Sequence, residues 1–386
     1  MMIDRGINEK VKLYCNIFPV IAILGPRQCG KTTFVKMFAN ENIEEFVYLD
    51  LENINDLNKL ENAQLYFSGN RNQTIIIDEI QRKPELFPLI RSEVDRGNEK
   101  CRFIILGSAS PDLLRQSSET LAGRIGYVEL APFSFNEISG IYSREKHHFV
   151  GGFPPAYLSD NIQNANIWLD NFIKTYIERD LPMLGLKADP LTIRRLWQML
   201  AWQSGNIINY NSLARSLSVS NKTVAAYIDF LENSYIIYRL NSFSYNIKKK
   251  LVKAPKVFIS DTGLLHRLLQ IADYDQLLGN PLVGNSWENY VINQIKFQKP
   301  DDYDMFFYRT HAGAELDLVL VKGLIPVVGI EIKFSEKPVI SKGFWSSIET
   351  LGTTSNFIII PVEGEDYELN EKVKVCGFDV FLQKYL

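Results

Sequence analysis

The sequence predicts an α/β multidomain protein whose N-terminal third is built on a parallel sheet. Three observations carry that expectation. Short β-branched runs alternate with helical-looking segments between residues 19 and 131. A Gly-Gly-Phe-Pro-Pro stretch at 151–155 then ends the alternation. Near the C-terminus, AELDLVLVKGLIPVVGIEIKF (314–334) has the pattern of a hairpin. A chain of 386 residues suits two or three domains. The breaks predict segments 1–150, 151–275 and 276–386.

The N-terminal strands are expected at VIAIL (20–24), FVYLD (46–50), TIIID (74–78), RFIIL (102–106) and YVEL (127–130). Each is short and rich in β-branched residues, as a buried parallel strand should be. The intervening segments are long enough for crossover helices, which parallel pairing requires. Apolar residues at 46% and charged residues at 23% fit a globular protein. The net charge of −3 excludes a globally basic nucleic-acid coat but leaves room for a local basic patch. Cys15, Cys29, Cys101 and Cys376 form no CxxC pair, which argues for a reducing compartment and against a zinc ribbon. The first residues, MMIDRGINEK, lack a leader pattern, and no run of 18 apolar residues occurs. A cytoplasmic protein with no membrane partner is expected.

The first strand runs into Gly25-Pro26-Arg27-Gln28-Cys29-Gly30-Lys31-Thr32, followed by Thr33, which fits the spacing GxxxxGK[ST]. Glycines let successive backbone N–H groups turn inward around phosphate oxygens, where a side chain would clash. Lys31 would reach the β- and γ-phosphates of ATP, and the Thr32 hydroxyl would ligate Mg²⁺. The helix that starts there presents its positive end to the same anion. The plainer alternative is a glycine-rich turn that binds nothing. Asp78 ends an apolar strand, where a carboxylate needs a reason to be, and a Mg²⁺ ion held through water supplies one. Glu79 would orient and polarise the attacking water. In RFIILGSAS, Ser108 and Ser110 could touch the γ-phosphate or that water. Arg115 and Arg124 read either as arginine fingers for a neighbour in a homo-oligomer or as surface arginines.

With these motifs in place, the chain resembles the AAA-type ATPases of the AAA_14 group that carry a C-terminal DUF4143 domain. The resemblance rests on Gly25 to Thr32, Asp78-Glu79, LGSAS, LAGRIGYVELAPFSFNEI, and the later GGFP, YIERDL and SDTGLL. It implies an additional-strand (ASCE) P-loop fold with Lys31, Thr32, Asp78 and Glu79 in the roles given above. It also implies that Arg124 senses phosphate. Ser108 stands where an Asn or Thr sensor is usual.

In the middle segment, helices are expected at 164–180 and 191–203. Leu213, Ala214 and Leu217 share a face of a short helix, and SVSN makes a turn with Ser220 or Asn221 as N-cap. Val224, Tyr227, Ile228 and Leu231 form the inner stripe of a second helix, and YIIYRL reads as a strand. This order predicts a winged helix-turn-helix. Asn221, Lys222 and Thr223 would lie at the exposed start of its second helix. Lys248, Lys249, Lys250, Lys253 and Lys256 would meet DNA phosphates from the wing, or simply line a solvated loop.

In the C-terminal hairpin, residues two apart share a face. Glu315 and Asp317 would therefore point one way, with Leu316, Leu318 and Leu320 opposite. Glu331 and Lys333 would share a face in the second strand. With Glu288 on the preceding helix, the order of an acid, then D…ExK, resembles the PD-(D/E)xK nuclease core. That resemblance implies a restriction-endonuclease-like fold in which Glu288, Asp317 and Glu331 hold Mg²⁺ and Lys333 steadies the attacking water. Glu315 ranks as a spare or structural acid, and Arg309 and His311 as possible phosphate contacts. The alternative is a wet hairpin face on an inactive, protein-binding domain. The only adjacent histidines, His147-His148, make zinc a poor expectation.

Overall fold

The computed structural model describes residues 3–97, 99–108, 120–141, 143–244 and 252–386. Ser110, Arg115, Lys248, Lys249 and Lys250 lie outside the described residues, as does the side chain of Ser108. The chain forms two compact units. The first takes residues 1–133, 153–155 and 233–235; the second takes 134–152, 156–232 and 236–386.

In the first unit, β1 (Val20–Gly25), β2 (Phe46–Asp50), β3 (Thr74–Asp78), β4 (Phe103–Ser108) and β5 (Ile125–Glu129) form one sheet in the order β2-β3-β4-β1-β5. Every pairing in it is parallel. β4 is the additional strand between β1 and β3. The apolar runs divide between two faces by simple alternation. Val20, Ala22, Leu24, Ile75, Ile77, Phe103 and Ile105 pack on one side against Leu86, Phe87 and Ile90. Ile21, Ile23, Ile76, Ile104 and Leu106 pack on the other against Phe34, Val35 and Phe38 of helix α1 (Lys31–Asn42). Each such fully buried side chain contributes about 2 kcal/mol, so both layers hold the sheet.

The second unit contains α2 (Tyr210–Leu217) and α3 (Asn221–Asn233), then β6 (Ile237–Leu240) paired antiparallel with β7 (Lys256–Ile259). Ser220 is the cap of α3: its Oγ accepts the Thr223 N–H at 3.0 Å. Val224, Ile228 and Leu231 face the core as expected, while Tyr227 is only half-buried. Helix α4 (Thr262–Leu268) follows, then α5 (Val283–Gln298). The C-terminal sheet contains β8 (Tyr303–Arg309), β9 (Glu315–Lys322), β10 (Ile325–Ile332), β11 (Ser355–Ile360), β12 (Asp366–Asn370) and β13 (Val373–Gly377). Its order is β12-β13-β11-β10-β9-β8, with β10, β11 and β13 mutually parallel and the other pairings antiparallel.

Within the second unit, Gly151-Gly152 and the SDTGLL stretch interlock. Asp261 caps α4 by accepting the Leu264 N–H at 3.0 Å, and its other oxygen accepts the Gly152 N–H at 2.7 Å. A Cβ on Gly151 (φ +78°) would lie 2.1 Å from Asp261 Oδ1, and one on Gly263 would lie 1.9 Å from the Val150 carbonyl oxygen. Two glycines are therefore needed for the clasp to close.

Beside this clasp, His148 Nε2 and His266 Nε2 both meet the Ser286 hydroxyl, at 2.9 and 2.6 Å. His266 Nδ1 donates to the Phe149 carbonyl at 2.8 Å, and His147 Nδ1 meets the Tyr290 hydroxyl at 2.9 Å. The sequence spacing showed only the first two histidines as neighbours. Burial holds His148 well below the ordinary range and His266 at about 4. The unfolded chain protonates these rings near pH 6.5, so their contribution to stability is complete above that pH and is lost as pH falls toward 4. Between pH 7.5 and 5, His266 alone should reduce the free energy of unfolding by about 2 kcal/mol. Urea titrations of the wild type and His266→Gln check this. The variant should show a shallower pH dependence; identical slopes would contradict it.

Candidate nucleotide site and a lysine-filled acid cluster

The phosphate loop leaves the carboxyl end of β1, which lies between β4 and β5 in the first unit's sheet. Gly25 passes so close to Leu130 that a Cβ would lie 2.1 Å from its carbonyl oxygen, and Gly30 has φ +98°. Both positions exclude side-chain-bearing residues for steric reasons. Gln28 also has positive φ, +61°. Lys31 folds back over the loop and donates to the Gly25 and Pro26 carbonyls at 3.0 and 2.8 Å. Thr32 and Thr33 occupy the exposed first turn of α1.

Arg5 braces the loop from beneath. Its guanidinium donates to the Cys29 carbonyl at 3.1 Å and the Ala131 carbonyl at 2.5 Å, and stacks over Phe133. The Cys29 thiol donates to the Leu130 carbonyl at 3.2 Å. Sequence reasoning missed Arg5, because nothing local marks a residue that acts across so long a sequence separation.

Asp78, at the carboxyl end of β3, is buried. Its Oδ2 accepts from the Thr32 hydroxyl at 2.6 Å and from the Tyr48 hydroxyl at 2.6 Å, and Oδ1 accepts the Glu79 N–H at 2.9 Å. Tyr48, on β2, is a second residue the sequence did not single out. Burial and the hydrogen bond to Asp78 hold its hydroxyl in the neutral, donating form. Glu79 has left-handed backbone, φ +56°, a conformation uncommon outside glycine and often kept at functional sites. Its carboxylate accepts from the Gln81 amide. Burial raises its pKa, while the positive charges of Arg27 and Lys31 pull it down.

The phosphate-sensing role expected of Arg124 does not fit its own loop. Val20 at the amino end of β1 pairs with Ile125, so Arg124 lies at the opposite edge of the sheet from Gly25. Five residues of strand put roughly 16 Å between those edges. Its guanidinium is held by Asp95, at 2.5 and 3.1 Å. Ser108 pairs with Gly25, which sets its backbone beside the phosphate loop.

The acids of the second unit do come together, around a lysine. Lys256 Nζ lies 2.9 Å from Glu288, 3.0 Å from Glu315 and 3.7 Å from Asp317. Glu331 pairs with Lys333 at 2.6 Å, and Asp317 Oδ2 accepts the Ile332 N–H at 2.8 Å. Glu315 also meets Arg309 at 3.5 Å, whereas His311 is exposed. Lys256 is therefore not a wing phosphate contact: it is 3% exposed and belongs to this cluster. Glu315 is not spare either, since it is one of the lysine's two shortest partners. Burial would lower the Lys256 pKa, but Glu288, Asp317 and Glu315 outweigh it and keep the ammonium charged. Burial, with help from Asp317, raises Glu331 to about 8 against the opposing pull of Lys333.

A bulge in β9 shapes the cluster. Phe306 pairs with Val319 and Tyr308 with Leu316, so Asp317 and Leu318 together oppose Phe307. The expected grouping of Leu316, Leu318 and Leu320 is thereby broken. Leu316, Val319 and Val321 share the core against Phe344 and Ile348 of helix α6 (Lys342–Leu351). Strict alternation failed because an extra residue shifts the side-chain period at the bulge.

With this geometry in view, three family matches cover most of the chain. Residues 18–139 match the family described as AAA domain, 142–275 the domain of unknown function DUF8612, and 283–381 the domain of unknown function DUF4143. "Uncharacterized protein Mb2031c" of Mycobacterium bovis and "Uncharacterized protein Rv2008c" of Mycobacterium tuberculosis are each 39% identical over 364 residues, covering 94% of this chain and 81% of theirs. The chain belongs to the same family as these proteins, and its N-terminal segment is an AAA domain of P-loop type. Among solved structures, "the walker-type ATPase paby2304 of Pyrococcus abyssi" aligns over 69% of this chain and 96% of that one, with TM-score 0.48 and 14% identity. Among the described residues, no helix is long and apolar enough to cross a membrane.

Proposed function

We propose that this protein binds and hydrolyses MgATP and uses the cycle to regulate a macromolecule-binding C-terminal half. The contact that carries the reading is the 2.6 Å hydrogen bond between Thr32 and Asp78, beside the phosphate loop. A hydroxyl at a helix start and a buried carboxylate at a strand end form the donor pair that suits Mg²⁺ with nucleotide phosphate. Loop N–H groups from Gly25 to Thr33 would orient the phosphates, and Lys31 would exchange its loop carbonyls for phosphate oxygens. The metal, once bound with nucleotide, neutralises phosphate charge. Glu79 would take the proton of the attacking water on its carboxylate. Its raised pKa makes it a better base than an exposed glutamate.

Two variants test this. Lys31→Ala should reduce ATP turnover to background, and Glu79→Gln should reduce it about 10²- to 10⁴-fold while ATP stays bound. Unchanged hydrolysis in Lys31→Ala would refute the assignment; loss of binding in Glu79→Gln would remove Glu79 from its role.

For the C-terminal half we read α2, α3, β6 and β7 as a winged helix, and the sheet that follows as a PD-(D/E)xK-like domain. The order helix, turn, helix and paired strands supports the first, and the adjacency of Asp317 and Glu331 on neighbouring strands supports the second. DNA is the partner this reading favours, through Lys248, Lys249 and Lys250 between the wing strands. Duplex affinity should then fall steeply with salt, and replacing those lysines with alanine should reduce the log–log salt slope by about 2 to 3. Absence of binding at about 50 mM salt would instead favour a protein partner.

A further inference from the structure

The proposed nuclease-like domain implies a divalent ion among Glu288, Asp317 and Glu331, and the side chains present disagree with that. Among the described residues, no group of three or more His, Cys, Asp and Glu side chains is arranged to hold a metal ion. The acids instead surround an ammonium group. Lys256 Nζ takes Glu288, Glu315 and Asp317 as neighbours at 2.9, 3.0 and 3.7 Å, and Lys333 takes Glu331 at 2.6 Å. One oxygen of Asp317 is already committed to the Ile332 N–H. Mg²⁺ needs oxygens at about 2.1 Å in octahedral array, and a dication sharing these oxygens with an ammonium would be repelled by it.

Lys256 is not a surface lysine that happens to fold inward. Its strand is hydrogen-bonded on both edges: Lys256 pairs with Leu240 of β6 and bridges to Ile207 on the other side. The Val257 N–H donates to the Asn206 carbonyl at 3.1 Å, and the Val257 carbonyl accepts from Gly205 at 2.8 Å. Helix α5, which carries Glu288, is stitched to the same strand. Asn289 accepts from the Ile259 N–H at 3.0 Å and donates to its carbonyl at 2.9 Å, and Asn293 adds a donor at 2.8 Å. Strand and helix thus fix both partners of the Lys256–Glu288 pair. The buried Phe307 ring lies 5.7 Å from the ammonium, facing the bulge that carries Asp317.

We infer that Lys256 is a resident cation that occupies the acid site and excludes divalent metal from it. It is a positioning residue, supplied from upstream of the segment that carries the acids. Its ammonium holds Glu288, Glu315 and Asp317 together in the resting protein. The inference rests on the nuclease-like reading for the choice of ligand only.

The test is Mn²⁺ binding to the full chain without nucleotide, followed by electron paramagnetic resonance, counting only binding that Asp317→Asn removes. Lys256→Gln should bind Mn²⁺ at least tenfold more tightly than wild type, and Lys256→Arg should not. Lys256→Met with Glu315→Gln removes one charge of each sign, keeps Glu288, Asp317 and Glu331 in place, and should show the same gain if Lys256→Gln fails to fold. Equal Asp317-dependent binding in wild type and the folded lysine-deleted variant overturns the inference but leaves the metal-site reading standing. No Asp317-dependent binding in any folded variant overturns both.

Discussion

A parallel sheet can seat an anion only where strand ends and helix starts converge, and in this chain strand order decides which residues meet there. With β4 between β1 and β3, the phosphate loop and Asp78 emerge at the same edge. Thr32, at the start of α1, can then reach Asp78 at 2.6 Å. The order itself depends on both faces being apolar, so that helices cover the sheet on each side. Tyr48 refines that edge by bonding Asp78, while Arg5 and the Cys29 thiol tie the loop to Ala131 and Leu130.

The second unit depends on β7 in a comparable way. Its backbone is paired along both edges, and Asn289 and Asn293 of α5 satisfy the backbone of Ile259 where a further strand residue would. Burying Lys256 is costly unless carboxylates surround it, and the bulge in β9 and the start of α5 deliver three. The result is a charged cluster that holds strand, helix and hairpin in register. The same pairing that stabilises it leaves few oxygens for an external ion.

Much of this was legible in the sequence. Apolar runs located all five strands of the first sheet, because short β-branched and aromatic runs set between helical segments have no competing pattern. The glycine and lysine spacing of the phosphate loop located the turn, because only glycine tolerates Gly25's approach to Leu130. The spacing of Glu288, Asp317, Glu331 and Lys333 marked residues that do lie together. What was not legible depends on tertiary pairing. Lys256 sits in a lysine-rich stretch and resembles a solvated residue until β6 and Ile207 enclose it. The bulge at Asp317 has no glycine or proline to announce it. Arg124 sits in a motif that implies phosphate contact, yet the direction of β5 carries it to the far edge. Three histidines far apart in sequence, or merely adjacent, become one buried network through Ser286 and Tyr290.

The central claim is that Thr32 and Asp78 form the seat of a nucleotide-bound Mg²⁺ ion. The most direct measurement is the dissociation constant of a fluorescent ATP analogue, titrated once with excess Mg²⁺ and once with chelator. The account predicts at least tenfold tighter binding with Mg²⁺, and loss of that difference in Thr32→Val. Equal affinities under the two conditions in the wild-type protein would contradict it.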